Sequence, residues 1–315
     1  MELNLPISEM EQGMRIEGFY LLKDASVKKT AAGKPYLSAS IMDATGSIIA
    51  MMWDYSGSID ERDAGQVVKV RGDVSVYKNT NQITISRLRL ANDQDEIDLE
   101  RLVPVAPIDA DVRYQEVRSL VSTIEDDDYR AVAEEMLRLH GDAFQTIPAA
   151  KSVHHGFLNG LLMHTSNMLK TADFFAALYP EVLDRSLLLT GTLLHDLAKE
   201  REFAFSNIGM ATGYTVEGEL VGHIVMGAQE AARVCEELNV PEQKSVLLQH
   251  LILSHHGNPE YGAAVIPMCA EAELLSLIDR VDSRMEIYSE ILPTLQPNSF
   301  SARIFALEKK IFRHD

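Results

Sequence analysis

Between residues 15 and 90 apolar and polar positions alternate with a period of two. Leu37, Ala39 and Ile41 interleave with Tyr36, Ser38 and Ser40; after a tight Asp43-Ala44-Thr45-Gly46 turn, Ile48, Ala50 and Met52 interleave with Ile49, Met51 and Trp53. Such alternation predicts two half-buried strands joined as a hairpin. Val68, Val70, Val74 and Val76 continue the pattern, and a turn at Lys78-Asn79-Thr80-Asn81 leads into a run rich in β-branched residues at 82–90. Residues 15–29, interrupted by Gly18, read as a long first strand bent by a bulge. Beyond residue 113 the period becomes helical. Helices are predicted at 114–124, at 127–140 with Gly141 as a stop, and at 153–177. A central helix capped by Asp184 runs through His195 and Asp196, followed by helices at 219–238, at 242–255 closed by Gly257, and at 270–292. Residues 200–218 lack periodicity and read as a lid or substrate wall.

About five strands in under 90 residues, with a short helical possibility at 60–64, suit a small closed barrel of OB type. The chain of 315 residues is long for one domain. We therefore expect a multidomain β + α protein: an OB-type nucleic-acid-binding barrel at 1–92, an acidic, proline-marked linker at 93–112, and an all-helical domain at 113–315. The barrel's strands carry Tyr36, Trp53 and Tyr77, which suit base stacking. They also carry cations that suit phosphates: Lys28, Lys29, Lys34, Lys69, Arg71, Lys78, Arg87 and Arg89. The plainer alternative is that aromatic residues simply fill the barrel. Charge changes this picture only in part. Residues 1–90 hold 11 basic and 11 acidic side chains, so the net charge of −18 resides entirely in the remainder. That balance excludes broad, nonspecific adhesion to nucleic acid. No apolar run reaches the length of a membrane span, and Met1 to Pro6 lacks the character of a signal peptide. Cys235 and Cys269 lie in helical apolar surroundings and read as reduced core residues. A cytoplasmic protein with no membrane partner is expected. The contrast between a neutral barrel and an acidic helical half also suggests contact between subunits of a homo-oligomer.

The polar residues inside the apolar helices carry the chemistry. His195 and Asp196 end the run from Leu187 to Leu194; His164 follows Leu161-Leu162-Met163, His223 follows Val221-Gly222, His255 and His256 adjoin, and Asp279 follows Leu277-Ile278. Burying imidazole beside carboxylate costs several kcal/mol, roughly, unless a metal or counter-charge compensates. We read this ordered set as a centre for divalent metal ions assembled from separate helices. Its mixed donors suit Mn²⁺, Fe²⁺, Zn²⁺, Co²⁺ or Ni²⁺. Seven candidates exceed the needs of one ion, so two ions bridged by Asp196 are expected. Such a pair can activate water and stabilise a phosphoryl group, which points to phosphoester hydrolysis. Lys199, on the His195 face, is placed to neutralise a phosphate oxygen. Asp279 and Asp282 share a face, and either can be the last ligand. His250 reads as an outer partner or a polar-face residue, and His140 as a helix-terminal histidine favoured by the dipole. His154 and His155 read as groups supporting the ligands or touching substrate, and Tyr214, in the aperiodic stretch, is a further candidate for contact with nucleic acid.

The series His164, His195-Asp196, His223, His255-His256 and Asp279, with His195-Asp196-Leu197-Ala198-Lys199 as an HDxxK motif, resembles the HD-domain metal-dependent phosphohydrolases. With an OB-type barrel in front, the chain from about residue 15 to 285 resembles the YhaM-type 3′→5′ exoribonucleases. The sharpest segments are His154-His155-Gly156-Phe157, Gly160 to Thr165, Gly191 to Asp196, Leu220 to Ile224 and Leu253 to Gly257. The resemblance implies ligation by His164, His195, Asp196, His223 and Asp279, with His255 and His256 completing a second site or contacting phosphate. It also implies a manganese-type ion, and a barrel that feeds single-stranded RNA to the helical centre. Met163 departs from the family, which often carries glutamate there; this bears on the support of the first ligand and on metal preference.

The expected activity is metal-dependent 3′→5′ hydrolysis of single-stranded RNA, releasing 5′-mononucleotides. Nothing in it uses the 2′-hydroxyl, which leaves single-stranded DNA open as a substrate. Two rivals stand beside it. One is an HD phosphohydrolase of nucleotides or cyclic nucleotides whose barrel only regulates or assembles. The other is a non-catalytic strand-binding protein with a structural metal, disfavoured because such closed sites use four ligands.

Overall fold

In the computed structural model, residues 2–77, 80–92, 94–150, 156–206 and 209–315 are described. The alternating segment forms β1 (Glu2–Leu3), β2 (Arg15–Lys29), β3 (Pro35–Asp43), β4 (Gly46–Trp53), β5 (Val67–Tyr77) and β6 (Thr80–Leu90). β2 is long enough to pair twice, antiparallel to β5 through its first half and to β3 through its second. β4 pairs in parallel with β6, and β6 antiparallel with β5, which closes the barrel as the OB reading requires. Inside, Ile16, Leu22, Leu37, Ile41 and Ile83 are fully buried, each contributing roughly 1.5–3 kcal/mol. The hairpin turn is held by Asp43, whose Oδ1 accepts from Thr45 N at 2.8 Å and whose Oδ2 accepts from Ile7 N at 2.8 Å.

Three expectations for this half need correction. The bulge in β2 lies between Leu22 and Asp24, not at Gly18. Gly18 instead allows a close approach, since a Cβ there would lie 2.9 Å from Asn4 Cα. β1, parallel to β2, was not expected, because two residues show no alternation. The stretch 93–112 is only partly a linker. It contains the short helix α1 (Leu99–Leu102), and Leu102 and Val103 are buried. Arg101 ties it down, donating to Asn4 O at 2.5 Å and accepting from Ala44 N at 2.9 Å. The acidic residues that marked this stretch as linker outnumber the apolar pair that anchors it. By packing, the chain divides into one unit of residues 1–105 with 205–212 and another of 106–204 with 213–315.

The second unit is built from α2 (Ala110–Val121), α3 (Asp127–Thr146), α4 (Gly160–Leu178), α5 (Arg185–Leu194), α6 (Lys199–Glu202), α7 (Val216–Leu220), α8 (Gly222–Glu237), α9 (Glu242–Ser254) and α10 (Ala270–Ile291). Asp109, Asp126, Asp184 and Thr215 accept from backbone N–H groups at the starts of α2, α3, α5 and α7. Every residue from Ser186 to Leu194 is buried, so α5 is the central helix, packed against α3, α4, α9 and α10. Two small ribbons accompany the helices. β7 (Phe203–Phe205) pairs with β8 (Ala211–Tyr214), so the expected loop at 200–218 is largely ordered into α6, this ribbon and α7. β9 (Ser299–Phe300) pairs with β10 (Phe312–Arg313) beyond the last helix.

Helix boundaries also shift. α4 starts at Gly160, after the left-handed Asn159 (φ 62°), rather than near 153. α5 ends at Leu194, so His195 and Asp196 lie just past its C-terminus. α3 does not stop at Gly141 but continues to Thr146; the missing Cβ makes room for Tyr114, whose hydroxyl would lie 2.6 Å away. His140 therefore sits inside a helix. It is buried between two carboxylates, with Nδ1 2.7 Å from Glu200 of α6 and Nε2 3.3 Å from Glu230 of α8. Burial opposes its charge, but the bonds to Glu200 and Glu230 prevail and raise its pKa to about 9.

A histidine whose folded pKa exceeds its unfolded one stabilises most below the unfolded value, near 6.5, and loses that contribution as pH rises through the folded value. His140→Gln is therefore expected to cost on the order of 3 kcal/mol at pH 6. The difference from wild type should fade as pH rises past about 9. Denaturant unfolding across that range checks it; a pH-independent difference would mean that the clamp contributes packing rather than charge.

Candidate metal centre

Three helix ends and two long helices meet around Asp196, which is 3% exposed. His195 and Asp196 follow α5, His255 and His256 follow α9, and His223 is near the start of α8. α4 supplies His164, and α10 supplies Asp279 and Asp282. Two groups form. His164, His195 and Asp196 offer ligand atoms within 4.8 Å of one another, and so do His223, His255 and His256. The carboxylate of Asp196 faces both. Its Oδ2 lies 3.3 Å from His195 Nε2 and 3.8 Å from His164 Nε2, and its Oδ1 lies 3.4 Å from His223 Nε2 and 3.7 Å from His255 Nε2. Asp279 Oδ1 is 3.4 Å from His164 Nε2 and joins the first group.

What the far side of each ring touches explains these orientations. His195 Nδ1 bonds to Thr192 O and His255 Nδ1 to Ile252 O, each at 2.7 Å. Both rings reach back to a carbonyl three residues earlier, at a helix end whose last carbonyls lack helical partners. A carbonyl only accepts, so Nδ1 of each ring carries a proton and Nε2 is the nitrogen turned toward Asp196. His223 Nδ1 lies 2.8 Å from Glu202 Oε1, and His164 Nδ1 lies 2.7 Å from Asp282 Oδ2. The choice between Asp279 and Asp282 thus has a geometric answer: Asp279 faces the ligand side of His164, and Asp282 holds its other nitrogen.

The charges follow from burial and these contacts. For His164, burial works against charge, but Asp279 and Asp282 raise its pKa to about 10. Burial opposes ionisation of Asp196 and Asp279, yet Lys199 and His195 hold Asp196 low, and His164 holds Asp279 low. Burial together with the neighbouring rings keeps His255 neutral, and burial does the same for His256. Lys199 Nζ lies 2.6 Å from Asp196 Oδ2, so the lysine expected to meet substrate is paired with the central carboxylate. That pairing raises its pKa against the opposing effect of burial.

Whether this pocket suits cations is decided by its unpaired atoms. Asp196 Oδ1, His223 Nε2, His255 Nε2 and His256 Nδ1 are buried and lack hydrogen-bond partners. At His255 and Asp196, lone pair faces lone pair, which is repulsive unless a positive centre lies between them. Imidazole nitrogens and carboxylate oxygens held this way fit divalent transition metals.

The remaining expected residues fall elsewhere. His154 and His155 lie outside the described residues, as does Lys78. His250 accepts from Met268 N at 2.9 Å and braces a loop. Met163 is half-buried on α4 and supplies no carboxylate. On the barrel, Tyr36 and Trp53 are cross-strand partners with ring centroids 5.2 Å apart, and Trp53 is half exposed. Tyr77 is exposed on β5, away from that pair in the strand order. Lys69 and Arg71 both pair with Glu17 across the β2–β5 ladder, which halves the charge they offer. Tyr214, half exposed on β8, packs at 5.4 Å against Phe203. Sequence reasoning missed Glu202 altogether. In Lys199-Glu200-Arg201-Glu202 it reads as a solvated helix turn, and nothing in that tetrapeptide signals a buried partner 21 residues away.

The HD domain family model matches residues 162–284. The 3′-5′ exoribonuclease YhaM of Bacillus subtilis is 34% identical over 303 residues, covering 96% of this chain and 95% of that protein. Among solved structures, the second OB-fold domain of replication protein A from Methanococcus maripaludis is 17% identical, with a TM-score of 0.23, over 31% of this chain and all of that one. An OB domain from Thermoplasma acidophilum is 15% identical, with a TM-score of 0.25, over 31% of this chain and 93% of its own.

If Asp282 and Glu202 orient their histidines, Asp282→Asn and Glu202→Gln should each weaken Mn²⁺ binding about 10- to 100-fold. Calorimetric titration of the metal-stripped chain reads this directly, and unchanged affinity in both variants would remove the orienting role.

Proposed function

Because the chain belongs to the family of the exoribonuclease YhaM, we propose that it degrades single-stranded RNA from the 3′ end in a divalent-metal-dependent reaction that releases 5′-mononucleotides. The observation that carries this reading is the convergence of two donor groups on the two oxygens of one buried carboxylate. His164, His195, Asp279 and Asp196 Oδ2 would hold one ion. His223, His255, His256 and Asp196 Oδ1 would hold the other, and Mn²⁺ suits this mixed donor set. When bound, such ions make a water acidic enough to ionise near neutrality and offset charge on phosphoryl oxygens.

The chain's own residues do the rest. Asp196 joins the two groups, while Asp282 and Glu202 keep the ring nitrogens aimed. Lys199, buried against Asp196, adds positive charge where a non-bridging phosphate oxygen must gather negative charge. Hydrolysis breaks the bond between phosphorus and the upstream 3′-oxygen. The water oxygen remains on the released 5′-phosphate, and the strand keeps a 3′-hydroxyl. No group in this scheme contacts the 2′-hydroxyl, which leaves single-stranded DNA open as a substrate. On the barrel, the Tyr36–Trp53 face offers stacking to bases. Among the described residues no helix is long and apolar enough to cross a membrane.

With 5′-labelled single-stranded RNA and Mn²⁺, the protein should give a ladder shortening from the 3′ end. A chelator should abolish it, and Asp196→Ala should slow it about 10³-fold or more. Intact RNA alongside hydrolysed free or cyclic nucleotides would instead establish the small-molecule phosphohydrolase.

A further inference from the structure

Beside the second donor group a cavity of about 600 Å³ opens, lined by His255, His256 and Asp279 on one side and by the segment after the last helix on the other. Its size suits a small ligand. Two features of its wall bear on what that ligand is. Arg280 and Arg284 of α10 are one turn apart on the face that lines the cavity. Arg130, Arg138, Arg185, Arg201 and Arg233 all pair with carboxylates. The guanidinium groups of Arg280 and Arg284 make no hydrogen bond or ion pair among the described residues, although Glu273, Asp279 and Glu308 line the same cavity. In a chain of net charge −18, two unpaired guanidiniums beside a phosphoester centre are available to an anion.

The second feature is Phe305. At 95% exposure it is the most exposed large apolar side chain among the described residues, and it lines the cavity. It does not belong to a loose tail. Its 3-10 turn is closed by the Ile304–Lys309 bridge, and Leu307 and Ile311 are buried against the end of α10. Lys309 lies over the Tyr288 ring at 5.7 Å, and Arg313 donates to Leu295 O at 2.6 Å. An aromatic ring held out on a braced turn is costly in water, but it is preorganised to stack on a flat partner.

We propose that this cavity is a nucleotide subsite, in which Arg280 and Arg284 take a phosphate and Phe305 stacks on the base. The subsite deepens the exoribonuclease reading and rests on it, since it places a nucleoside phosphate next to the donor group of His255 and His256. It gives the centre a means of gripping the terminal nucleotide through features that all nucleotides share, a phosphate and a planar base.

The test is calorimetric titration of the full-length, Mn²⁺-loaded chain with AMP and with ribose 5-phosphate. Arg280→Gln/Arg284→Gln should weaken both ligands about tenfold. Phe305→Ala should weaken AMP about tenfold while ribose 5-phosphate binds as before, and Phe305→Trp should restore AMP. Both altered sites are on the surface, and a melting curve verifies folding. Equal AMP affinity in wild type and all variants overturns the subsite. So does a Phe305→Ala protein whose molecular mass in solution falls while AMP affinity holds, because the ring then serves contact between chains. Wild type that binds AMP in the expected pattern but leaves RNA intact supports the subsite and overturns the exoribonuclease reading. Wild type that trims RNA, with AMP affinity unmoved in the variants, does the reverse.

Discussion

Electron-pair donors that repel one another are held together around Asp196, and the helical unit is arranged to sustain that repulsion. Neutral imidazoles at His255 and His256, the carboxylates of Asp196 and Asp279, and the ring of His223 all point inward. In water each donor would bind solvent; buried here, four of their atoms have no hydrogen-bond partner. Leaving such groups unsatisfied costs roughly 1–3 kcal/mol apiece. A fold of ordinary marginal stability tolerates this only if the remaining contacts over-determine the geometry, and only if a cation completes the site.

Those contacts are of two kinds. Local ones come from helix ends: α5 and α9 each finish at the residue before a ligand, so carbonyls left over from the last turn fix the tautomers of His195 and His255 at no cost in buried charge. Distant ones come from Asp282 and Glu202, which carry charge and therefore need compensation of their own. Glu202 accepts from both the backbone and the ring of His223. Its own backbone is approached so closely by Gly218 that a Cβ there would lie 2.2 Å from Glu202 O. The short helix α6 thus carries Lys199 to Asp196 and Glu202 to His223, and His140 grips the same helix through Glu200. The break after Leu194, which looked from the sequence like the middle of a helix, is what allows one turn of chain to reach three of these partners.

How much of this is legible in the sequence depends on the range of the interaction. Alternation over 37–52 is a local consequence of pleating, and it gave the hairpin with its turn. The ligands stood out because a histidine or aspartate within an apolar helix has no local justification. Glu202 gave no such signal, Asp282 only that of sharing a face with Asp279, and His140 only that of a helix end. Their partners lie 21, 118, and 60 and 90 residues away, and acidic or basic residues in a helical pattern look like solvated surface. Gly141 misled for a related reason: glycine ends helices when the backbone needs a left-handed turn, but here it makes space for the Tyr114 ring.

Charge distribution then bears on how an acidic protein handles an acidic polymer. Lys69 and Arg71, which looked available on the barrel, share Glu17; the face with Tyr36 and Trp53 carries Ser38, Ser40 and Met51 in register, with Lys28 opposite Tyr36. A strand held at that face would combine stacking on Tyr36 and Trp53 with the charge of Lys28. Arg280 and Arg284 put two unpaired guanidiniums where α10 borders the cavity, within the part of the chain that holds the whole net charge of −18. On the helical unit, the proposed subsite would draw a strand's terminus while the surrounding negative charge disfavours its body. Repulsion along the body of the unit and attraction at one cavity together favour an end over an interior position, without a wall that physically blocks the strand.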